Sequence, residues 1–211
     1  MPDLPLLTDK SCYSEPRRQY RLHGQKPPLK PREVWAIRVR LQIQGALRDL
    51  ALFNLAIDSK LHSCDLVALR VADVATSGSV RERAMIVQQK TGHPVQFELT
   101  DPTRDSVLRW TTHQALGEKD DLFPSRRHTR PHLSTRQFAR IVDRWVAAIR
   151  FNPGKYGTHS LRRTKAAVTY RETGNLRAVQ LLLGHTKLES TVRYLGVEVD
   201  DALRISEQVE L

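Results

Sequence analysis

Apolar residues recur with two different periods along this chain, and the changes of period mark its elements. Residues 31–44 carry a helical pattern that opens on Pro31, whose fixed φ suits a first helical turn, and breaks at Gly45. Residues 46–60, ALRDLALFNLAIDSK, are apolar on nearly every side apart from Arg48, Asp49 and Asn54, as a helix buried all round would be. A period of two then takes over. In residues 95–100, Val95, Phe97 and Leu99 alternate with Gln96, Glu98 and Thr100. Residues 84–87 supply an apolar partner strand and Lys90-Thr91-Gly92-His93 a turn, so a hairpin is predicted.

The second half is helical again. Asp101 is the expected cap, with Pro102 in the first turn, of a helix to about residue 116, and residues 117–133 form a loop that begins acidic and turns basic. Ser134 and Gln137 make a capping box for a helix whose stripe of Phe138, Ile141, Val142, Trp145, Val146 and Ile149 leaves Arg136, Arg140 and Arg144 off the core face. A further helix should begin near Ser160, and another should run over residues 176–183 and stop at Gly184. Ser190 or Thr191 should cap a short turn presenting Tyr194, and residues 197–208 read as a last amphipathic segment. The whole is mainly α with one small antiparallel β-hairpin, an α+β domain over residues 31–211. Residues 1–30 have no period and many interrupting prolines, and read as a flexible basic arm.

Charge adds a partner to this picture. The 211 residues carry a formal charge of +11. Between Leu122 and Arg171 the only acidic residue is Asp143, against twelve lysines and arginines. A single-sign stretch of that length repels itself unless a polyanion lies against it, so double-stranded DNA is the expected partner. Arg126, Arg127, Arg130, Arg136, Arg140, Arg163 and Lys165 are the expected backbone contacts. No apolar run approaches the ~20 residues that cross a bilayer, and Met1-Pro2-Asp3 does not open a signal peptide, so a cytoplasmic protein without a membrane partner is expected. Cys12 and Cys64 lack metal-ligand spacing and read as reduced thiols.

Candidate chemistry is concentrated in residues 158–195. His159 and Arg162 lie three apart, Gly184-His185 closes an apolar helix, and Tyr194 follows nine residues after that histidine. A phosphate-handling site needs cationic donors, a proton-transfer group and a nucleophile able to hold a covalent intermediate, and this stretch offers all three. Tyr156 and Tyr170 follow no Gly-His turn at that distance and read as core or groove residues. No carboxylate cluster fit for magnesium is present, so chemistry without metal or cofactor is expected.

The ordered set HxxR, LGH and tyrosine resembles the catalytic box of the tyrosine recombinase (phage integrase) family, and the likeness runs from about residue 31 to the C-terminus. The resemblance implies a site-specific recombinase or integrase of the bacterial cytosol or nucleoid that cleaves and rejoins DNA through a 3′-phosphotyrosine. It implies Tyr194 as nucleophile, Arg162 and His185 as donors to the phosphate, Lys90 in the hairpin turn as acid and His159 as base. It also implies self-association on DNA in a tetrameric synapse. Thirty residues cannot build the helical domain that most members carry ahead of the catalytic one, so the likeness is to a short form. The family's first motif is an arginine followed three residues later by an acid. Asp65 matches the acid, but His62 stands where the arginine should be. An active recombinase and a catalytically impaired DNA-binding protein on the same fold are therefore both open.

Overall fold

The structure, a computed structural model, describes residues 26–125, 130–196 and 206–207. Helix α1 (Pro31–Ile43) begins with its proline in the first turn, and Glu33 accepts from the Lys30 N–H at 2.8 Å, which closes its N-terminus. It lays Val34, Ile37 and Leu41 against α2 (Leu47–Ser59), in which every residue over 50–59 is buried. Polar side chains survive in such a helix only with partners. Asn54 donates to Ser106 Oγ at 3.0 Å and accepts from Arg38 Nε at 2.8 Å.

Helix α2 is the axis of the main core. Strand β4 (Pro94–Glu98), α5 (Asp101–His113) and α7 (Thr158–Thr173) all lean on it. Helix α6 (Thr135–Ala148) closes the core, with Trp145 edge-on to Phe53 of α2 at 5.4 Å between ring centroids. Its capping box is formed in both directions, Gln137 N–H to Ser134 Oγ at 3.1 Å and Ser134 N–H to Gln137 Oε1 at 2.8 Å. Strand β3 (Arg83–Val87) pairs antiparallel with β4 in the register Ile86↔Val95 and Ala84↔Phe97, which turns Ala84, Val95 and Phe97 inward. Leu99 lies one residue beyond the strand and is still buried.

Four short elements precede this hairpin: α3 (Ser63–Val67), α4 (Val71–Val74), β1 (Ala75–Thr76) and its antiparallel partner β2 (Ser79–Val80). The last three were absent from the pattern because two to four residues cannot display a period. Thr100, not Asp101, is the N-cap of α5; the Thr100 hydroxyl donates to Asp58 Oδ2, which pulls it out of a capping role. Residues 26–30, assigned above to the arm, lie on α7. Leu29 is buried and its N–H donates to Thr164 Oγ1 at 3.0 Å. The remaining arm, Arg126, Arg127 and nearly all of the expected segment 197–208 lie outside the described residues. Among those described, no helix is long and apolar enough to cross a membrane.

A second, much smaller core joins α7 to α8 (Leu176–Leu183) and α9 (Leu188–Leu195). It is built on Ala166, Val179 and Leu183, with Tyr170, Tyr194 and Leu195 packed around them. Helix α9 starts earlier than expected, so Ser190 and Thr191 sit inside its first turns and Lys187 is the cap position. The α8–α9 unit meets the hairpin at Gly184, whose φ is +67° and where a Cβ would stand 2.5 Å from Val95 Cγ2. Glycine is thus required twice, by conformation and by space. Gly184→Ala should lower the unfolding free energy in urea by about 2–4 kcal/mol. Val95→Ala should cost less in that background than alone, and additive effects would contradict the close approach.

Candidate active site

Three stretches of backbone bring the singled-out residues together. His62 is the N-cap residue of α3, His159 and Arg162 lie in the first turns of α7, and His185 follows the left-handed stop at Gly184. His62, Cys64, Thr135, Thr158, His159 and Arg162 line a cleft of about 240 Å³. Lys90 lies exposed in the hairpin turn, near enough that its charge acts on both His62 and His159. The turn is held to α3 by Asp65, whose Oδ1 accepts from the Gln89 N–H at 2.9 Å. The sequence-expected acid is therefore a brace between the His62 helix and the Lys90 turn.

Arg162 is only 3% exposed. Its Nη2 donates to the Leu183 carbonyl at 2.8 Å, tying α7 to the end of α8, while its Nη1 has no partner. Tyr194 lies between a guanidinium and an imidazole: Arg163 stands over its ring at 5.2 Å, and His185 meets it edge-on at 5.4 Å. Its hydroxyl is sealed from solvent and makes no hydrogen bond; Arg162 is close enough to attract it but falls short of bonding geometry. His185 is fixed from two sides. Its Nδ1 is 3.0 Å from Thr191 Oγ1, and Gln180 Nε2 donates to its carbonyl at 2.9 Å. With the Thr191 hydroxyl donating to Nδ1, the imidazole proton stands on Nε2, available to an incoming acceptor.

Among the described residues, the buried side-chain polar atoms without a partner are His62 Nδ1, Asp65 Oδ2, Gln88 Nε2, Arg162 Nη1 and Tyr194 Oη. His62 Nδ1 and Asp65 Oδ2 are 3.6 Å apart, too far for a hydrogen bond. Two of them, on His62 and Arg162, belong to residues that line the cleft. Buried polar atoms are normally paired, and of these five the charged guanidinium N–H is the one that an anion would satisfy.

Each titratable group is tuned by that incomplete state. Burial and the Arg162 charge lower both His62 and His185 to about 4, with Lys90 adding to the effect on His62. His159 is lowered by the same two causes, although it is exposed overall. Burial pushes the Tyr194 phenol up to about 12 against the pull of Arg162 and Arg163. Near pH 7 without DNA, the histidines are therefore neutral and the tyrosine keeps its proton.

The expected DNA contacts divide. Arg130, Arg136 and Arg140 are exposed, and Thr135 at the head of α6 lines the cleft itself, so this helix end borders the site. Arg163 and Lys165 are corrections. Arg163 is buried, donates to the Lys26 carbonyl at 2.9 Å and covers Tyr194. Lys165 faces inward onto Asp58 and Glu98. Both lie on the inner face of α7, where a charge count along the sequence cannot separate inward from outward. Tyr156 stacks on Phe151 at 5.8 Å and Tyr170 packs in the small core, as packing residues do. Sequence reading missed Thr191 and Gln180 as the groups that hold His185; the only signal was their placement six and five residues from that histidine.

A family model, that of the phage integrase family, matches residues 29–201. The probable integrase/recombinase YoeC of Bacillus subtilis (strain 168) is 29% identical over 153 residues, covering 72% of this chain and 80% of that protein. The tyrosine recombinase XerC of Neisseria gonorrhoeae is 28% identical over 197 residues, 87% of this chain and 62% of that protein. Among solved structures, the XerH site-specific recombinase bound to its difH substrate in a pre-cleavage complex superposes with a TM-score of 0.69 at 18% identity, over 89% of this chain and 56% of that one. The chain thus spans less than two thirds of the length of the XerC and XerH proteins.

The depressed histidines make a signed prediction. A histidine whose folded pKa is about 4 binds fewer protons than its unfolded form, at about 6.5, throughout the interval between. Stability of the DNA-free protein should be full above pH 6.5 and fall as pH drops toward 4, by about 1–3 kcal/mol for His62 and His185 together at pH 5. Urea unfolding at pH 7 and pH 5 measures it. The slope should flatten in a His62→Asn/His185→Asn protein; an unchanged slope would place the titration elsewhere.

Proposed function

The chain belongs to the phage integrase family, and from that premise we propose that it is a site-specific DNA recombinase that works through a covalent link to Tyr194. The observation that carries the reading is the sealed Tyr194 hydroxyl beside a buried arginine with a free Nη1, a nucleophile and an anion donor left unsatisfied together. The DNA-bound XerH structure, on the same fold, supports duplex DNA as the partner that completes the site.

The chemistry follows from the groups present. A scissile phosphodiester in the cleft accepts from Arg162 Nη1, from His185 Nε2 and from His62, which hold the non-bridging oxygens where charge develops. Tyr194 Oη bonds to phosphorus as the bond from phosphorus to the 5′ oxygen breaks. The phenol cannot ionise alone at neutral pH, and neutral His159 takes its proton. Lys90 supplies a proton to the departing 5′ oxygen. The products are a 3′-phosphotyrosine and a 5′-hydroxyl. Attack by the 5′-hydroxyl of another strand reverses every step, and no bond energy is lost between them. Metal and cofactor have no part in this sequence of steps. Exchange between two duplexes cuts four strands, one per nucleophile, so a tetrameric assembly on DNA belongs to the same proposal, as does a catalytic domain that takes in residues 26–30 with the expected 31–211 and a basic arm before them.

His62 is the weak donor of the set. A neutral imidazole offers one N–H where an arginine offers a charged fork, and a missing transition-state donor commonly costs ~10²–10³ in rate. Two measurements test the reading on a nicked duplex that traps the adduct. Tyr194→Phe should bind DNA within about threefold of the parent and form no detergent-stable adduct; an adduct that survives and maps to another tyrosine would remove the nucleophile assignment. His62→Arg should speed adduct formation by about tenfold or more, with little change in affinity because one phosphate contact is a small share of the electrostatic total. Equal rates in both proteins would show that His62 does not reach the phosphate.

A further inference from the structure

Beneath the cleft lies a group of four charges that the reaction does not use. Lys165 of α7 bonds Asp58 Oδ1 at 2.8 Å and Glu98 Oε1 at 2.6 Å. Lys60 Nζ reaches both Glu98 oxygens at 3.0 Å and the Asp58 carbonyl at 2.6 Å. Asp58 Oδ2 is filled by the Thr100 N–H and by the hydroxyls of Thr100 and Thr103. Two cations and two anions balance, and the Lys60 side chain is 0% exposed. Lys60 also sits at φ +54°, a left-handed conformation that a residue with a side chain adopts only when its surroundings hold it there.

Three of the four belong to segments that carry part of the active site, and the fourth, Asp58, stands near the end of the core helix α2. Lys60 is two residues before His62, Lys165 is three residues after Arg162 on α7, and Glu98 ends the strand whose hairpin turn bears Lys90. Bulk stability does not explain the choice, because apolar residues of similar size commonly serve as well as a buried ion pair. Directional bonds supply something apolar contacts do not, a single register between three elements.

We propose that Lys165, Glu98, Lys60 and Asp58 are positioning residues that lock α7, the His62 loop and the Lys90 hairpin in the one arrangement in which a phosphate held by Arg162 is within reach of Lys90. The proposal rests on the catalytic roles given above. Loosening the lock should leave DNA bound and Tyr194 in place but impair protonation of the departing oxygen, since a misplacement of about 1 Å can cost on the order of a hundredfold.

The test compares adduct formation on two nicked duplexes, one with an ordinary scissile phosphate and one whose 5′-bridging oxygen is replaced by sulphur, which leaves as a thiolate without a proton. Lys165→Met and the isosteric Glu98→Gln should bind DNA within about threefold of the parent, and both should melt cooperatively above the assay temperature. On the ordinary duplex they should form adduct about tenfold to a hundredfold more slowly. On the sulphur duplex most of that deficit should vanish, and Lys165→Arg should recover much of the ordinary rate. Lys60→Gly, which relieves the left-handed backbone while removing the ammonium, should show the same sulphur-rescued deficit even where it melts no lower than the parent. An equal deficit on both duplexes, or none on either, overturns the proposal. Lys90→Met run in parallel separates the two levels: if sulphur fails to rescue it, the acid has been misassigned and the positioning role falls with it, whereas rescue of Lys90→Met alone refutes only the lock.

Discussion

A cation taken out of water has to be met by negative charge or dipoles, and the active site of this protein is organised around one that is only half met. Arg162 gives one nitrogen to the Leu183 carbonyl and keeps another with no partner. The first bond joins α7 to the end of α8, so the group that waits for an anion also fixes the turn carrying His185. The buried helix α2 is what lets α7 hold such a residue. It fills the core so completely that α7 and the hairpin have one place to rest, and the phosphate site forms where their ends meet.

The same guanidinium helps to set the protonation of its neighbours. Its charge, with burial, keeps His62, His159 and His185 neutral, and the low polarity that does so also keeps the phenol protonated. In the proposed reaction a phosphodiester supplies what Arg162 lacks: its non-bridging oxygens take the free Nη1 and the imidazole N–H groups of His62 and His185, while His159 stays neutral and able to accept the phenol's proton.

Much of this was legible in the sequence. Long periodic stretches declared α1, α2, α6 and α8 within a residue or two, because burial repeats in them often enough to show. The spacing from His159 to Tyr194 named the residues that the fold then gathered. What stayed hidden was of two kinds. Elements of two to four residues have no period, and the inward or outward direction of a charge depends on the tertiary face it meets. Lys165 and Arg163 look like their neighbours in a basic run, and only the fold shows one pinned between carboxylates and the other lying on an aromatic ring. Glu98 read as the polar face of its strand for the same reason, since an ion pair with Lys60, 38 residues away, leaves no local mark.

The small core under α8 and α9 has a consequence for fidelity. Three buried residues hold it together, far fewer than hold α2, and units with so little apolar contact open more readily than the rest of a domain. The Tyr194 hydroxyl, sealed from water, is equally shut off from any DNA that merely drifts past. On the proposed chemistry, accidental nicking of unrelated sequence is limited by how often this unit lifts while a phosphate is seated beneath it, which makes genome safety a matter of local opening and not of how reactive Tyr194 is.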